Sequence, residues 1–432
     1  MLAGLSMRRW GAALLLVSCA ASSDLLQRLS RAHFDFTLGM YTTLVNVTDD
    51  RQQNLLVSPY SVFSLLSMLF LGAGSESLSS AQLRAVLRFH NISYASVQKA
   101  FKEVTQVLDQ PYYWRHFRER SLLQLSSQVA PDSIYVRALA EYYGCMNQTY
   151  PAPADDAAEF FGCAVNNQSE LAEPAAFERL AAWLRAGSSG DQSELEGAVR
   201  SALADRPVLL LLSRVRFHGR WLHPFDPART FSKGLFFSEP TQRLEVPMMT
   251  GRLRVPLGYS ADMEARVLEL PLVSRRISIF LLLPDDMERG LALLEANLTM
   301  DNLRTLLATL KEAVVNVKLP RFRLEDSGDL RTVLMSQGLT DVFDPRSADL
   351  TGIDPQGRVH PGNLFYSTSL VLDESVEASD WMGDRMAPPT DSRITDKYFE
   401  VDHPFVFLVW DYHSAMVLLM GRVVHPQPLY QQ

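Results

Sequence analysis

The sequence predicts an α+β chain on three observations. Helical periodicity fills much of the first hundred residues. Apolar runs of strand character recur from about residue 208 to the C-terminus. No Pro/Gly/Ser-rich linker or internal repeat divides the chain. With 432 residues, 47% of them apolar and 21% charged, it can bury a large core, and length alone would allow two or three domains.

Taken in order, Arg8-Arg9 precede an apolar run from Trp10 through Val17, and Ser18 to Ser22 are small enough for signal-peptidase cleavage near Ala20 or Ala21. Residues 1–21 are therefore expected to be a signal peptide and 22–432 a single domain. Phe34, Leu38, Tyr41 and Val45 recur at helical spacing, as do Leu65, Met68 and Leu69, and Ser96 to Leu108 reads as a further helix. Ala175 to Leu184 is amphipathic behind Pro174, which suits a helix start. Val208 to Leu212, Ile277 to Leu283, Val314 to Leu319 and Phe405 to Val409 read as strands buried on both faces.

Export shapes the reading of the cysteines. Cys19 leaves with the signal peptide, so Cys145 and Cys163 are either paired or two free thiols. A bond closing roughly 18 residues would stabilise by about 3 kcal/mol in the chain-entropy model, and an oxidising compartment favours it. Sequons at Asn46, Asn91, Asn147, Asn167 and Asn297 fit a secreted, extracellular glycoprotein. No run is long and apolar enough to span a bilayer. The net charge of −8, more negative once Arg8 and Arg9 are lost, argues against general nucleic-acid binding.

Catalytic motifs are missing from the sequence: there is no G-x-S-x-G, H-E-x-x-H, C-x-x-C, P-loop or dinucleotide fingerprint. His403 and His425 sit beside prolines, and Asp285-Asp286 follow Pro284 in a turn pattern, where solvated carboxylates are ordinary. The chain reads as a non-enzyme without cofactor or metal.

Two segments near the C-terminus, Tyr398-Phe399-Glu400-Val401-Asp402-His403-Pro404-Phe405 and Leu419-Met420-Gly421-Arg422-Val423-Val424-His425-Pro426, resemble the C-terminal signature of the serpins. Asn54 to Val62 with Leu71-Gly72-Ala73, Phe217 to Trp221 with Pro224-Phe225, Val246 to Met249, and Gly328 to Leu330 through Gly352 resemble further family segments in the family's order, from about residue 31 to about residue 426. The resemblance implies one large domain of about three β-sheets surrounded by eight or nine helices. It also implies an exposed reactive-centre loop at about 374–402. In that family a target protease attacks the loop and becomes acyl-linked, and the loop then inserts as a new strand in the main sheet.

Two requirements follow from the resemblance. Counting eleven residues back from Pro404 places Arg393 before a scissile bond to Ile394, with Arg385 the other basic candidate. Arginine there suits a trypsin-like serine protease, whose specificity pocket carries a carboxylate. Working inhibitors resemble one another in a hinge of the form Glu-x-Gly-Thr-Glu followed by small residues. Here Glu374-Ser375-Val376-Glu377-Ala378-Ser379-Asp380-Trp381 lacks the glycine, and the small run stops early. With Glu374 in the family's glutamate position, Glu377, Ser379 and Trp381 share one face; with Glu377 there, Asp380, Met382 and Asp384 do. Either register carries a carboxylate into the sheet at a cost of several kcal/mol, and overpacking Trp381 adds roughly 1 to 3 kcal/mol.

Tyr366 stands eight residues before Glu374, where the family usually carries a histidine, and Ser213 eight before Trp221, where it usually carries an asparagine. Ser58 and Ser61 are retained nearby. Trp114-Arg115-His116-Phe117-Arg118-Glu119-Arg120 reads either as a solvated loop or as a site for a heparin-like polyanion. The resulting expectation is a monomeric, secreted serpin-like glycoprotein, non-inhibitory or weakly inhibitory, acting as a binding or regulatory protein. The alternative is a suicide-substrate inhibitor of a trypsin-like serine endopeptidase.

Overall fold

The computed structural model describes residues 24–48, 52–147, 162–167, 174–186, 192–273, 275–374 and 397–429, with the single residues 171, 188 and 190. Its helices are α1 (Asp24–Val47), α2 (Pro59–Gly72), α3 (Leu78–Val86), α4 (Tyr94–Leu108), α5 (Pro111–Trp114), α6 (Ser133–Tyr143), α7 (Pro174–Arg185), α8 (Ser193–Ala204), α9 (Gly290–Ala296), α10 (Met300–Ala308) and α11 (Arg331–Ser336). The strands of the first half are β1 (Leu55–Val57), β2 (Phe117–Leu125), β3 (Met146–Asn147), β4 (Gly162–Asn166), β5 (Leu209–His218), β6 (Phe231–Glu239), β7 (Gln242–Ser260) and β8 (Ala265–Pro271). Those of the second half are β9 (Ile277–Pro284), β10 (Lys311–Pro320), β11 (Phe322–Asp329), β12 (Pro361–Leu372), β13 (Lys397–Glu400), β14 (Phe405–Asp411), β15 (Met416–Val423) and β16 (Gln427–Pro428).

The α+β class and the single domain hold, and every helix and strand read from the sequence is present. The strand pairing differs from three separate sheets. One path runs β1-β15-β14-β9-β8-β7-β10-β13 with β6 on β7, and the other runs β16-β11-β12-β5-β2-β4-β3. The 19-residue β7 is the cause: it pairs with β6 at its start, β10 along its middle and β8 at its end, carrying one hydrogen-bonded network between layers. Short helices such as α5 and α11, of four and six residues, raise the helix count above the eight or nine expected.

Helix α2 is nearly all buried, so it lacks the polar stripe of a surface helix. Ser58 caps it by accepting from the Ser61 amide at 3.2 Å, and Pro59 fills the first turn, where no amide donor is needed. Its Phe63 packs with Phe36, Phe89 and Phe101, fastening α1 and α4 around it. On one side of α1, Phe34, Leu38, Tyr41 and Val45 bury against α10 and the β14–β15 hairpin, as their spacing predicted.

A fully buried Arg422 on β15 pairs with Glu295 of α9 at 3.2 Å and donates Nε to the Gln53 carbonyl. Tyr41 donates to the same carboxylate at 2.8 Å. Cys145, at the end of α6, and Cys163, on β4, are joined by a disulfide.

Replacing Arg422 with alanine leaves Glu295 buried without its cation and should destabilise the fold by roughly 3 to 5 kcal/mol in urea unfolding. A loss under 1 kcal/mol would show that this pair is not structural.

Candidate functional site

The parallel contact between β5 and β12 lies at the centre of the seven-stranded sheet, with antiparallel partners outside it, β2 on β5 and β11 on β12. Ser213 and Tyr366 face each other across this seam in register. Inside the sheet, Ser61 Oγ lies 2.6 Å from Ser213 Oγ and donates to Glu119 Oε1 at 2.9 Å, and Ser121 Oγ donates to the same oxygen. Tyr366 turns the other way and donates its hydroxyl to Asp326 Oδ1 of β11 at 3.0 Å; the other carboxylate oxygen accepts from the Leu56 amide at 2.8 Å. Ser58 Oγ reaches the Leu418 carbonyl at 2.8 Å.

Tyr366 and Ser213 therefore do not bond to each other. Each has a separate partner: Tyr366 the half-buried Asp326, and Ser213 the hydroxyl of Ser61, which donates in turn to the buried Glu119. Burial pushes Glu119 up to about 7, against hydroxyl bonds that lower it, and pushes Asp326 up to about 6. Tyr366 is pushed well above its ordinary value, first by burial and then by Asp326.

Glu119 also corrects the reading of residues 114–120. They are neither a loop nor one basic surface: Trp114 ends α5, and Phe117 begins β2. Strand alternation turns Phe117 and Glu119 inward, leaves Arg118 exposed and Arg120 half-buried, and His116 is buried as well. Neither Glu119 nor Asp326 stands in a recognisable motif, yet the alternation Phe117, Glu119, Ser121, Leu123, Leu125 marks an inward face on which a lone acid is conspicuous.

At the end of β12 the chain is fastened before the loop begins. Trp221 Nε1 donates to the Asp373 carbonyl at 2.7 Å, and His218 Nε2 lies 3.0 Å from the Asp373 carboxylate. Glu374 is only 5% exposed; Thr230 Oγ1 donates to it at 2.6 Å, and Arg321 Nε lies 3.3 Å away. These contacts seat Glu374 at the mouth of the seam. Ser375, Val376, Glu377, Ala378, Ser379, Asp380, Trp381, Arg385, Arg393 and Ile394 lie outside the described residues, as do residues 1–21, the expected signal peptide.

The opposite face of the sheet is covered. Helices α7 and α8 lay Phe177, Leu180, Leu184, Leu195 and Val199 over Leu210 and Leu212 of β5 and Phe365 of β12. The turn between the helices is tied to β11, because Glu325 accepts from Ser188 Oγ at 2.6 Å and the Gly190 amide at 2.8 Å.

The sequon asparagines differ in surroundings. Asn46 and Asn91 are exposed. The half-buried Asn167 and Asn297 direct their amides to Val129 O and Leu293 O, and Asn147 lies in β3.

A family model described as Serpin (serine protease inhibitor) matches residues 31–426. The chain is 27% identical to leukocyte elastase inhibitor of Equus caballus over 412 residues, which cover 93% of this chain and 100% of that protein. It is 27% identical to plasminogen activator inhibitor 2 of Homo sapiens over 438 residues, with the same coverage. Among solved structures, native protease nexin-1 with heparin aligns at a TM-score of 0.75 and 20% identity, covering 94% of this chain and 100% of that one. Uncleaved ovalbumin aligns at 0.74 and 22%, covering 92% and 100%.

Changing Arg321 to methionine leaves the Glu374 carboxylate buried with Thr230 as its neutral donor. Stability should fall by about 2 to 3 kcal/mol in denaturant, and exchange of the Asp373 and Glu374 amides should rise. Unchanged stability and exchange would show that the hinge is not anchored there.

Proposed function

Because the chain belongs to the serpin family, we propose that it is a secreted, glycosylated member whose loop inserts poorly, so that it acts by binding or regulation and inhibits proteases weakly or not at all. The observation that carries this reading is the hinge. Glu374 is seated under Thr230 and Arg321, and the sequence after it offers Glu377 and Trp381 where an inserting hinge is served at least cost by small side chains. Insertion competes with deacylation of the bound protease. If even 1.4 kcal/mol of the burial and overpacking cost appears in the insertion barrier, insertion slows about tenfold. Helices α7 and α8 add to that barrier, since separating β5 from β12 disturbs the apolar cover they share.

The competing reading is a suicide-substrate inhibitor of a trypsin-like serine endopeptidase cut after Arg393. The names of relatives such as leukocyte elastase inhibitor and plasminogen activator inhibitor 2 favour it, while ovalbumin and thyroxine-binding globulin among the structural neighbours show that the fold also occurs in proteins not named as inhibitors. Exposed Arg115 and Arg118 keep a smaller polyanion contact open, in keeping with the heparin-bound neighbour. Export rests on the leader at residues 1–21, the sequons and the Cys145–Cys163 bond.

Incubation with trypsin-like proteases should give cleavage at Arg385 or Arg393, no SDS-stable complex and a rise in Tm of only a few degrees. Alanine at Asp380, Trp381 and Met382 together should enlarge that rise. A covalent complex and a large Tm increase in the unmodified protein would establish the inhibitor reading instead.

Protein recovered from the medium of expressing cells should begin near residue 22. Its enzymatic deglycosylation should convert Asn46 and Asn91 to aspartate more completely than Asn167 or Asn297, whose amides are already engaged. Retention of the protein inside the cells, with an intact N-terminus and no mass change on deglycosylation, would refute export.

A further inference from the structure

We propose that the central sheet is held shut by a proton on Glu119, and that ionisation of this carboxyl loosens the β5–β12 seam enough for a strand-forming segment to enter. The inference does not depend on whether the chain inhibits proteases. It stands on a continuous path of buried groups. Glu119 on β2 is 4% exposed, and its Oε1 takes the hydroxyl protons of Ser121 and of Ser61 from α2. With the Ser61 proton committed there, Ser213 must donate to Ser61 across 2.6 Å. Ser213 is the β5 residue that faces Tyr366 of β12 in register, so two hydroxyls separate the carboxyl from the seam.

Among the described residues nothing beside Glu119 balances a negative charge. From α2, Tyr60 and Ser61 face Glu119; from β5, Ser213; beyond the seam lie Tyr366 of β12 and Asp326 of β11, itself satisfied by Tyr366 and the Leu56 amide of β1. Glu194 of α8 adds a second negative field at Asp326. Arg118 and Arg120 of β2 and Arg214 and Arg216 of β5 fall on the opposite face by alternation. No arginine or lysine pairs with Glu119 among the described residues. An ionised Glu119 in the closed sheet therefore has two hydroxyl donors and no counter-ion, whereas in an opened seam water solvates it.

Burial raises Glu119 from 4.5 to about 7 in the closed form. A carboxyl raised in this way favours the closed form fully below its ordinary value, and that advantage is lost as pH climbs through about 7. Between pH 6 and pH 8 the open population should rise about tenfold from Glu119. Asp326, raised only to about 6, should add roughly a twofold change over the same interval.

Amide hydrogen exchange in residues 209–218 and 361–372, measured at pH 6 and pH 8 and corrected for intrinsic base catalysis, reads the seam directly. Protection of both strands should fall about tenfold or more at the higher pH in the native chain. Glu119→Gln, which keeps an acceptor for Ser61 and Ser121 but cannot ionise, should lose most of that step, and Asp326→Asn should retain it. Protection that does not change with pH, or a full step surviving in Glu119→Gln, would overturn the proposal. Should Glu119→Gln fail to fold, Ser121→Ala serves. It removes one donor from the ionised form, and the exchange midpoint must move upward; an unmoved midpoint would also overturn it.

Discussion

The parallel pairing of β5 with β12 is the constraint on which the rest of this molecule depends. Both strands belong to a sheet whose inner face rests on the central helix and whose outer face lies under α7 and α8. Each must be sealed against water on both faces. Hydrogen bonds along a parallel pair are slanted and slightly weaker per residue than antiparallel ones, so side chains carry much of the selectivity between closed and open.

In this chain those side chains are internally consistent. Tyr366 is long enough to pass the small serine opposite it and bonds Asp326 on the neighbouring strand. Ser213 is short enough to leave room for Ser61, which in turn needs an acceptor and has one in Glu119. A buried carboxyl without a cation, as Glu119 is, is costly when ionised.

The seam is also fastened at its mouth and over its outer face. At its mouth the Asp373 carbonyl and the Glu374 carboxylate are held by Trp221, Thr230 and Arg321. Farther along the outer face, Glu325 anchors the turn between the two covering helices, and Arg185 of α7 pairs with Glu196 of α8. Opening the sheet therefore disturbs polar ties and apolar cover together.

By itself the sequence determined the class, the single domain, the helix and strand positions and the family. Helical stripes such as Phe34, Leu38, Tyr41 and Val45, and apolar runs such as Ile277 to Leu283, report burial through periodicity, which is local information. It also identified Glu374, Tyr366 and Ser213 as the residues to watch, since their distances along the chain are fixed. What each of them bonds was decided only by tertiary structure, because Asp326, Ser61, Thr230 and Arg321 lie between 40 and 152 residues away. Glu119 shows the physical reason most plainly. In the chain it sits between two arginines and looks like part of a charged surface; strand alternation sends the arginines outward and the acid inward, and only the packing of α2 against β2 and β5 supplies the hydroxyls that hold it there.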